Sequence, residues 1–237
     1  MLKSILILFA YIIGAVALAF LLKVTVKVPR ELMRKILHLI IAAIVFIYVY
    51  AFSEWYVAAL TAAVFAGVAY PIIMLFERSP KMMEIFNERT RGEVRTSLLI
   101  VHAMFIMLIC IFWGWLGEEW KYIIIAAVMA WGLGDASAAL IGKKYGRHKV
   151  VRPLGDGKKT SEGSFAMGVV SGVALLVTFL LCSGKPWYAS LIVALIVAPI
   201  CTIVELASRR GIDTITVPLA VAAASSLLMY VLTVLGI

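Results

Sequence analysis

Eight long apolar runs take up most of this chain and leave room for short connections alone. The runs lie near residues 4–22, 36–52, 55–76, 97–116, 121–142, 165–182, 188–206 and 214–236. A helix needs about 20 mostly apolar residues to cross the roughly 30 Å hydrocarbon core of a bilayer. Because backbone polar groups find no water there, runs of this kind satisfy their hydrogen bonds as helices. The sequence therefore predicts an all-α, polytopic integral membrane helical bundle of about eight transmembrane helices.

The composition argues against a soluble domain. Hydrophobic residues make up 64% of the 237 residues and charged residues 15%, whereas a soluble domain is about 45–50% apolar and about 25% charged. We therefore predict that residues 1–237 form a single membrane domain. Its cytoplasmic loops are predicted at about residues 23–35, 77–95, 143–164 and 207–213.

The positive charges are divided very unevenly between the two sides of the predicted bundle. Nineteen Lys and Arg residues follow the first, third, fifth and seventh runs, and the other side holds Lys3, Lys121 and Lys185. Short loops rich in Lys and Arg stay in the cytoplasm, so we predict that both termini lie outside. Cleavage of the first run as a signal peptide would leave five positive charges just after an outside N-terminus, so we keep that run as a span. The net charge of +9 is explained by these loops and anionic headgroups, and it does not indicate nucleic acid.

Asp135 is the polar residue whose position inside a predicted span is hardest to explain by helix packing alone. It lies eight residues before Lys143, which is about 12 Å below the loop at 1.5 Å per residue. His38 and Glu205 lie near the same ends of their own spans. A buried His or Glu is often only an interhelical hydrogen-bonding group, but a carboxylate at this depth needs a cation or a proton and marks a functional site by default.

The connection after Asp135 has the features of an anion-binding loop. It contains Gly155, Gly157 and the run Lys158-Lys159-Thr160-Ser161-Glu162-Gly163 just before the sixth span. Glycine amides, lysine charges and a helix N-terminus together favour a polyphosphate, and nearby carboxylates can hold the Mg²⁺ that such a group carries. The loop is not a Walker A motif because Lys159 stands where Ser or Thr is required. A simple membrane anchor is the other interpretation of its charge.

These motifs resemble those of the CTP-dependent lipid kinases, a family that includes dolichol, phytol and diacylglycerol kinases. The resemblance is carried by Gly134-Asp135-Ala-x-Ala-x-x-x-Gly142-x-x-x-Gly146 and then Gly157-Lys-Lys-Thr-x-Glu-Gly163-Ser. It extends to Arg34-Lys35-x-x-His38 and to Glu205-x-x-Ser-Arg-Arg-Gly-Ile-Asp213. The resemblance implies transfer of the γ-phosphoryl of CTP, with Mg²⁺, to the hydroxyl of a polyprenol, dolichol, phytol-type alcohol or diacylglycerol. The enzyme would lie in the cell membrane of a prokaryote, or in an endoplasmic reticulum-type membrane otherwise, with its site facing the cytoplasm.

The resemblance also implies roles for individual residues. Asp135 would hold Mg²⁺ or accept the substrate proton, and the sequence does not separate these two roles. Asp213 would be a second metal ligand, and Glu162, Glu205 and His38 would be further catalytic residues. The nucleotide would be bound by Lys158, Lys159, Thr160, Gly155, Gly157, Gly163, Lys143, Arg34 and Lys35.

Two other functions are compatible with parts of the pattern. The central block is also similar to phosphatidate cytidylyltransferases, which use CTP to make a CDP-lipid. Those enzymes carry a late His-Gly-Gly element, and this chain has no histidine after His148. A transporter would place its polar groups near the bilayer midplane, whereas here they lie towards one side. Kinase chemistry therefore remains the favoured prediction.

Overall fold

The computed structural model describes residues 2–26, 28–78, 92–151, 159–208 and 211–237. Over these ranges the regular secondary structure is helical. The one β-type pairing there is an isolated antiparallel bridge between Lys149 and Thr160. A π-helix, Ile109–Trp115, continues the fourth long helix, and a 3-10 turn, Glu118–Trp120, follows it. The long helices are α1 Leu2–Thr25, α2 Arg30–Tyr50, α3 Trp55–Phe76, α4 Glu93–Leu108, α5 Tyr122–Tyr145, α6 Ser161–Cys182, α7 Trp187–Ala207 and α8 Asp213–Val234.

Each of these eight segments, with α4 counted together with its π-helical extension, is long and apolar enough to cross a membrane. Large apolar side chains cover their outer faces, as Leu181 at 78% and Phe165 at 76% exposure illustrate. Such faces are stable in lipid and costly in water. The predictions of an all-α fold and of eight spans are confirmed, and the chain is an integral membrane protein.

The helices extend further into the connections than the apolar runs predict. The run 55–76 coincides with α3, but α2 begins at Arg30, and α6 begins at Ser161. The loops predicted at 23–35 and 143–164 are therefore too long, and Arg34 and Lys35 lie within a helix. Charged side chains can extend from the end turns of a membrane helix to the headgroup region, so the helix continues past its apolar run. Most of the loop predicted at 77–95 and part of that at 207–213 lie outside the described residues.

The chain divides into two compact units, Met1–Cys110 and Ile111–Ile237. In the first unit α1 packs on α2 and α3 packs on α4. Ser4 donates a hydrogen bond to the Ala51 carbonyl at 2.6 Å, and Tyr11 donates to the Ile40 carbonyl at 2.7 Å. The buried Tyr48 ring lies 5.3 Å from the ring of Phe105, centroid to centroid. The prediction that both units form one domain stays a prediction.

The second unit is a ring of four helices. Helix α5 packs on α6, α6 on α7, α7 on α8, and α8 returns to α5. Among the described spans, the one that contains α5 is the most buried, with 61% of its apolar stretch inside the protein. We call the end of this unit where α5 and α7 finish and α6 and α8 begin the basic end. The Ser208 and Thr216 hydroxyls, 2.6 Å apart, connect α7 to α8 there.

Candidate active site

The glycines of the central motif bring α5 and α6 into close contact. A Cβ atom added to Gly163 would lie 2.8 Å from the Ala138 carbonyl oxygen and 3.3 Å from the Gly142 Cα. One added to Gly134 would lie 2.2 Å from the Ser171 Oγ. Small residues of this kind let membrane helices approach backbone to backbone. The glycine spacing therefore fixes the position of Asp135 on α5 relative to the start of α6.

Thr160 caps the N-terminus of α6. Its hydroxyl accepts a hydrogen bond from the Gly163 amide at 3.2 Å, which satisfies one of the unpaired donors of the first turn. The amides of Val150 and Ser161 donate to the carbonyls of Lys159 and His148, both at 2.9 Å. These bonds fasten the chain after α5 to the start of α6. The predicted nucleotide contacts of Thr160 and Gly163 stay predictions, and those of Gly155, Gly157 and Lys158 lie outside the described residues.

Lys159 connects the start of α6 to the end of α7. Its ammonium lies 2.8 Å from Glu205 Oε1. It also donates to the Glu205 carbonyl and, at 3.5 Å, to the carbonyl of Ser208. Glu205 is 6% exposed, so the ammonium supplies the countercharge that a buried carboxylate requires. The sequence predicted Lys159 and Glu205 as site residues, and the structure brings them together.

Asp135 and Asp213 lie near this ion pair. Both carboxylates lie within electrostatic range of the Glu205 carboxylate, on α5 and α8 respectively. Asp135 itself is half-buried on the central helix. Within the described ranges no three His, Cys, Asp or Glu side chains converge closely enough to hold a metal ion. Two carboxylates on adjoining helices nevertheless suit Mg²⁺, which binds through one or two carboxylates plus substrate phosphates.

The Glu162 carboxylate binds the segment that follows α5. Its Oε1 lies 2.7 Å from His148 Nδ1. The same oxygen accepts hydrogen bonds from the backbone amides of Arg147 at 3.1 Å and His148 at 3.3 Å. A carboxylate is an acceptor only, so it favours the imidazole tautomer that carries a proton on Nδ1. Sequence reasoning predicted Glu162 and missed His148, whose partner lies 14 residues away.

A groove of about 970 Å³ runs along one side of the α5–α6 pair. Its walls include Leu140 and Ile141 of α5 and Phe165 and Val169 of α6, and its basic end is lined by polar groups that include Glu162. The sequence carried no signal for this groove, because every apolar run of a membrane helix contains residues of these types.

Three of the remaining predicted residues lie on α2 and one lies on α5. Arg34 pairs with Glu31 one turn before it on α2, Lys35 is buried, and His38 is half-buried on the same helix. Lys143 is exposed in the last turn of α5. The predicted nucleotide contacts of Arg34, Lys35 and Lys143 and the predicted catalytic role of His38 stay predictions.

The chain matches no protein-family model and no solved structure. It is 32% identical over 213 residues to a phytol kinase of Synechocystis sp., an alignment that spans 87% of this chain and 84% of that protein. Similarity of this degree over most of both chains decides the family. The chain belongs to the phytol kinase family.

Membership of the phytol kinase family confirms the lipid kinase resemblance that the motifs carry. The glycine contact, the Lys159–Glu205 pair and the Glu162–His148 pair are therefore features of a membrane-embedded kinase. The two ion pairs lie at the basic end of the four-helix ring.

Proposed function

We propose that the protein transfers the γ-phosphoryl group of CTP to the hydroxyl of a phytol-type lipid alcohol. The observation that carries this proposal is the family relation to a protein named phytol kinase. The choice of CTP rests on the motif resemblance set out above. We place the reaction at the basic end, and the excess of Lys and Arg in the connections there supports a cytoplasmic location for it.

The N-terminus of α6 is the proposed phosphate site. Lys159 lies just before its cap and Glu162 just after it, so two polar clusters flank the first turn. A helix N-terminus favours anions through its amides and its dipole. Lys158 would add a second positive charge. The phosphates would draw the Lys159 ammonium partly away from Glu205, so nucleotide binding and the ion pair would compete.

The carboxylates on the inner side would serve the cation that accompanies CTP. Asp135 and Asp213 would hold Mg²⁺ from adjoining helices, and Glu205 would orient Lys159. When bound, the cation neutralises charge on the β- and γ-phosphates, which is a large part of what phosphoryl transfer requires. The role of the chain itself is mainly to position the phosphates against the hydroxyl and to exclude water.

A pair of labelled nucleotides tests the reaction directly. The purified protein, reconstituted in lipid nanodiscs with Mg²⁺ and phytol, would be incubated with CTP labelled on either the γ- or the α-phosphate. We expect γ-label in a lipid monophosphate, release of CDP, and no lipid label from the α-position. ATP, GTP and UTP at the same concentration serve as donor controls. Lipid label from the α-position, with release of pyrophosphate from a phosphatidate substrate, would contradict the proposal and indicate cytidylyl transfer.

A further inference from the structure

The groove beside α5 and α6 is lined almost entirely by apolar surface, and its ionisable residues are confined to the basic end. On α5 its wall runs from Ser137 to Tyr145, and on α6 from Ser161 to Val170. Eight residues of helix span about 12 Å. The middle of the groove is apolar, whereas Tyr145, Ser161 and the Glu162–His148 pair line its basic end. A hydrocarbon chain with one polar terminus matches this distribution.

The groove and Asp135 lie on opposite faces of α5. Successive residues of a helix are about 100° apart, so Asp135 is turned about 200° from Ser137 and about 140° from Leu140. Asp135 lies within electrostatic range of Glu205 on α7, whereas Ser137 and Leu140 line the groove. Side chains at the N-terminus of α6 contact both sides. Lys159 pairs with Glu205 of α7, and Glu162 pairs with His148 at the end of the groove.

His148 is held at the polar end of the groove in a defined orientation. The Glu162 carboxylate binds Nδ1 and two adjacent backbone amides. Nε2 is the ring nitrogen that Glu162 does not bind, and the imidazole is 80% exposed. A carboxylate that orients an imidazole through Nδ1 leaves Nε2 able to accept a proton.

We propose that this groove holds the hydrocarbon chain of a single-chain lipid alcohol and that His148, oriented by Glu162, accepts the proton of its hydroxyl. This inference rests on the proposed function and specifies its acceptor side. The groove is bounded by one pair of helices and is at the upper end of the roughly 300–1,000 Å³ range of ligand pockets. The groove would hold the chain of the phytol-type alcohol named in the proposed function, with the far end of that chain in the bilayer.

The proposed transfer needs no reactant other than CTP and the alcohol. The alcohol oxygen forms a bond to the γ-phosphorus, and the bond from that phosphorus to the β,γ-bridging oxygen breaks with its electron pair leaving on CDP. The hydroxyl proton moves to His148 Nε2, and Glu162 stabilises the imidazolium. Asp135, on the other face of α5, then belongs to the nucleotide side and not to proton transfer.

Two sets of variants in nanodiscs test the proposal. For the base, His148→Gln is expected to lower kcat about 100-fold or more, the lower bound for general-base catalysis, with unchanged KM for CTP and unchanged thermal stability. Glu162→Gln is expected to lower kcat by a smaller factor. For the groove, Ala166→Trp is expected to raise KM for phytol at least tenfold, while the lipid-exposed Leu181→Trp on the same helix leaves it unchanged.

A binding readout separates the lipid site from the chemistry. A phytol analogue carrying a diazirine on its chain is expected to crosslink to α5 and α6 within the groove. Excess phytol is expected to displace it, but dioleoylglycerol and dioleoylphosphatidylcholine are not. Displacement by phosphatidylcholine would show that bulk lipid fills the groove and would overturn the inference. Wild-type phosphorylation of phytol with no effect of the His148 or Ala166 variants would overturn it too, whereas an inactive wild type would count against the proposed function.

Discussion

The Lys159 ammonium lies 2.8 Å from Glu205 Oε1, and this ion pair connects two residues that are 46 positions apart in the chain. The same ammonium contacts carbonyls at the C-terminal end of α7, where the helix dipole favours a cation. The pair therefore closes the basic end between α6 and α7. The sequence predicted that Lys159 binds the nucleotide, whereas in the structure its positive charge is paired with a buried carboxylate of the protein.

The first prediction is that the two residues of this pair are coupled in stability. Lys159→Met leaves Glu205 buried without a countercharge, and we expect destabilisation near the lower end of the roughly 3–5 kcal/mol that such a loss costs. The double variant Lys159→Met/Glu205→Gln is expected to recover part of this loss, because no uncompensated charge remains. Denaturant unfolding in detergent measures the cycle. Additive effects of the two changes would show that the pair contributes nothing as a pair.

The second prediction separates Lys158 from Lys159. Lys158→Ala is expected to weaken CTP binding about 10- to 150-fold, equivalent to a charge-assisted contact of about 1.5–3 kcal/mol, with little change in stability. Lys3→Ala, in the first helix, is the matched control and should bind CTP normally. Equilibrium binding of labelled CTP to the purified variants checks this, and normal binding by Lys158→Ala would mean that the loop is only a membrane anchor.

The third prediction concerns the contact between α5 and α6. Gly163→Ala places a methyl group 2.8 Å from the Ala138 carbonyl oxygen, and backbone cannot move aside cheaply. We expect a loss of about 1–3 kcal/mol in stability from this overpacking. Gly67→Ala, also within a helix but with open space around the added Cβ, is expected to be neutral or slightly stabilising. Equal thermal stability of the two variants in detergent would contradict the close approach of the helices.

The fourth prediction concerns orientation in the membrane. After replacement of the three native cysteines, a cysteine at Ser79 or Gly155 is expected to react with an impermeant maleimide from the cytoplasmic side. A cysteine at Ser183, between α6 and α7, is expected to react from the opposite side. This follows from the positive charges that gather on one side of the chain. Labelling of Gly155 from outside would move the whole candidate site to the other face of the membrane.

The spans could be predicted from the sequence because hydrocarbon imposes a length and a composition on every crossing helix. Their ends could be predicted less well: α6 begins at Ser161 because Thr160 caps it, and the apolar run begins only at 165. The motif glycines were recognised, but Gly163 and Gly134 turn out to determine helix packing as well.

The contacts between distant residues could not be predicted. Neither the Lys159–Glu205 pair nor the Glu162–His148 pair has a fixed spacing in the chain, since each depends on how the helices of the ring are arranged. The groove between α5 and α6 depends on the same arrangement. Single-sequence reasoning identifies residue types suited to a reaction, and the fold decides which of them meet.

The proposal depends most on Asp135. A carboxylate in an idle membrane helix costs roughly 2.5–3.5 kcal/mol at the bilayer centre and less nearer the surface, so a functional role best explains its position. Asp135→Asn keeps the shape of the side chain and removes the charge that would hold Mg²⁺ beside the phosphates. The protein is expected to fold with equal or slightly higher thermal stability.

The most direct test is therefore to measure the phosphorylation rate and the thermal stability of Asp135→Asn on the same nanodisc preparation, beside wild type. We predict unchanged or improved stability together with a fall in kcat of at least about 100-fold, the scale on which loss of electrostatic transition-state stabilisation acts. An Asn variant that is stable and phosphorylates within a few-fold of the wild-type rate would contradict the assignment of Asp135 to the site.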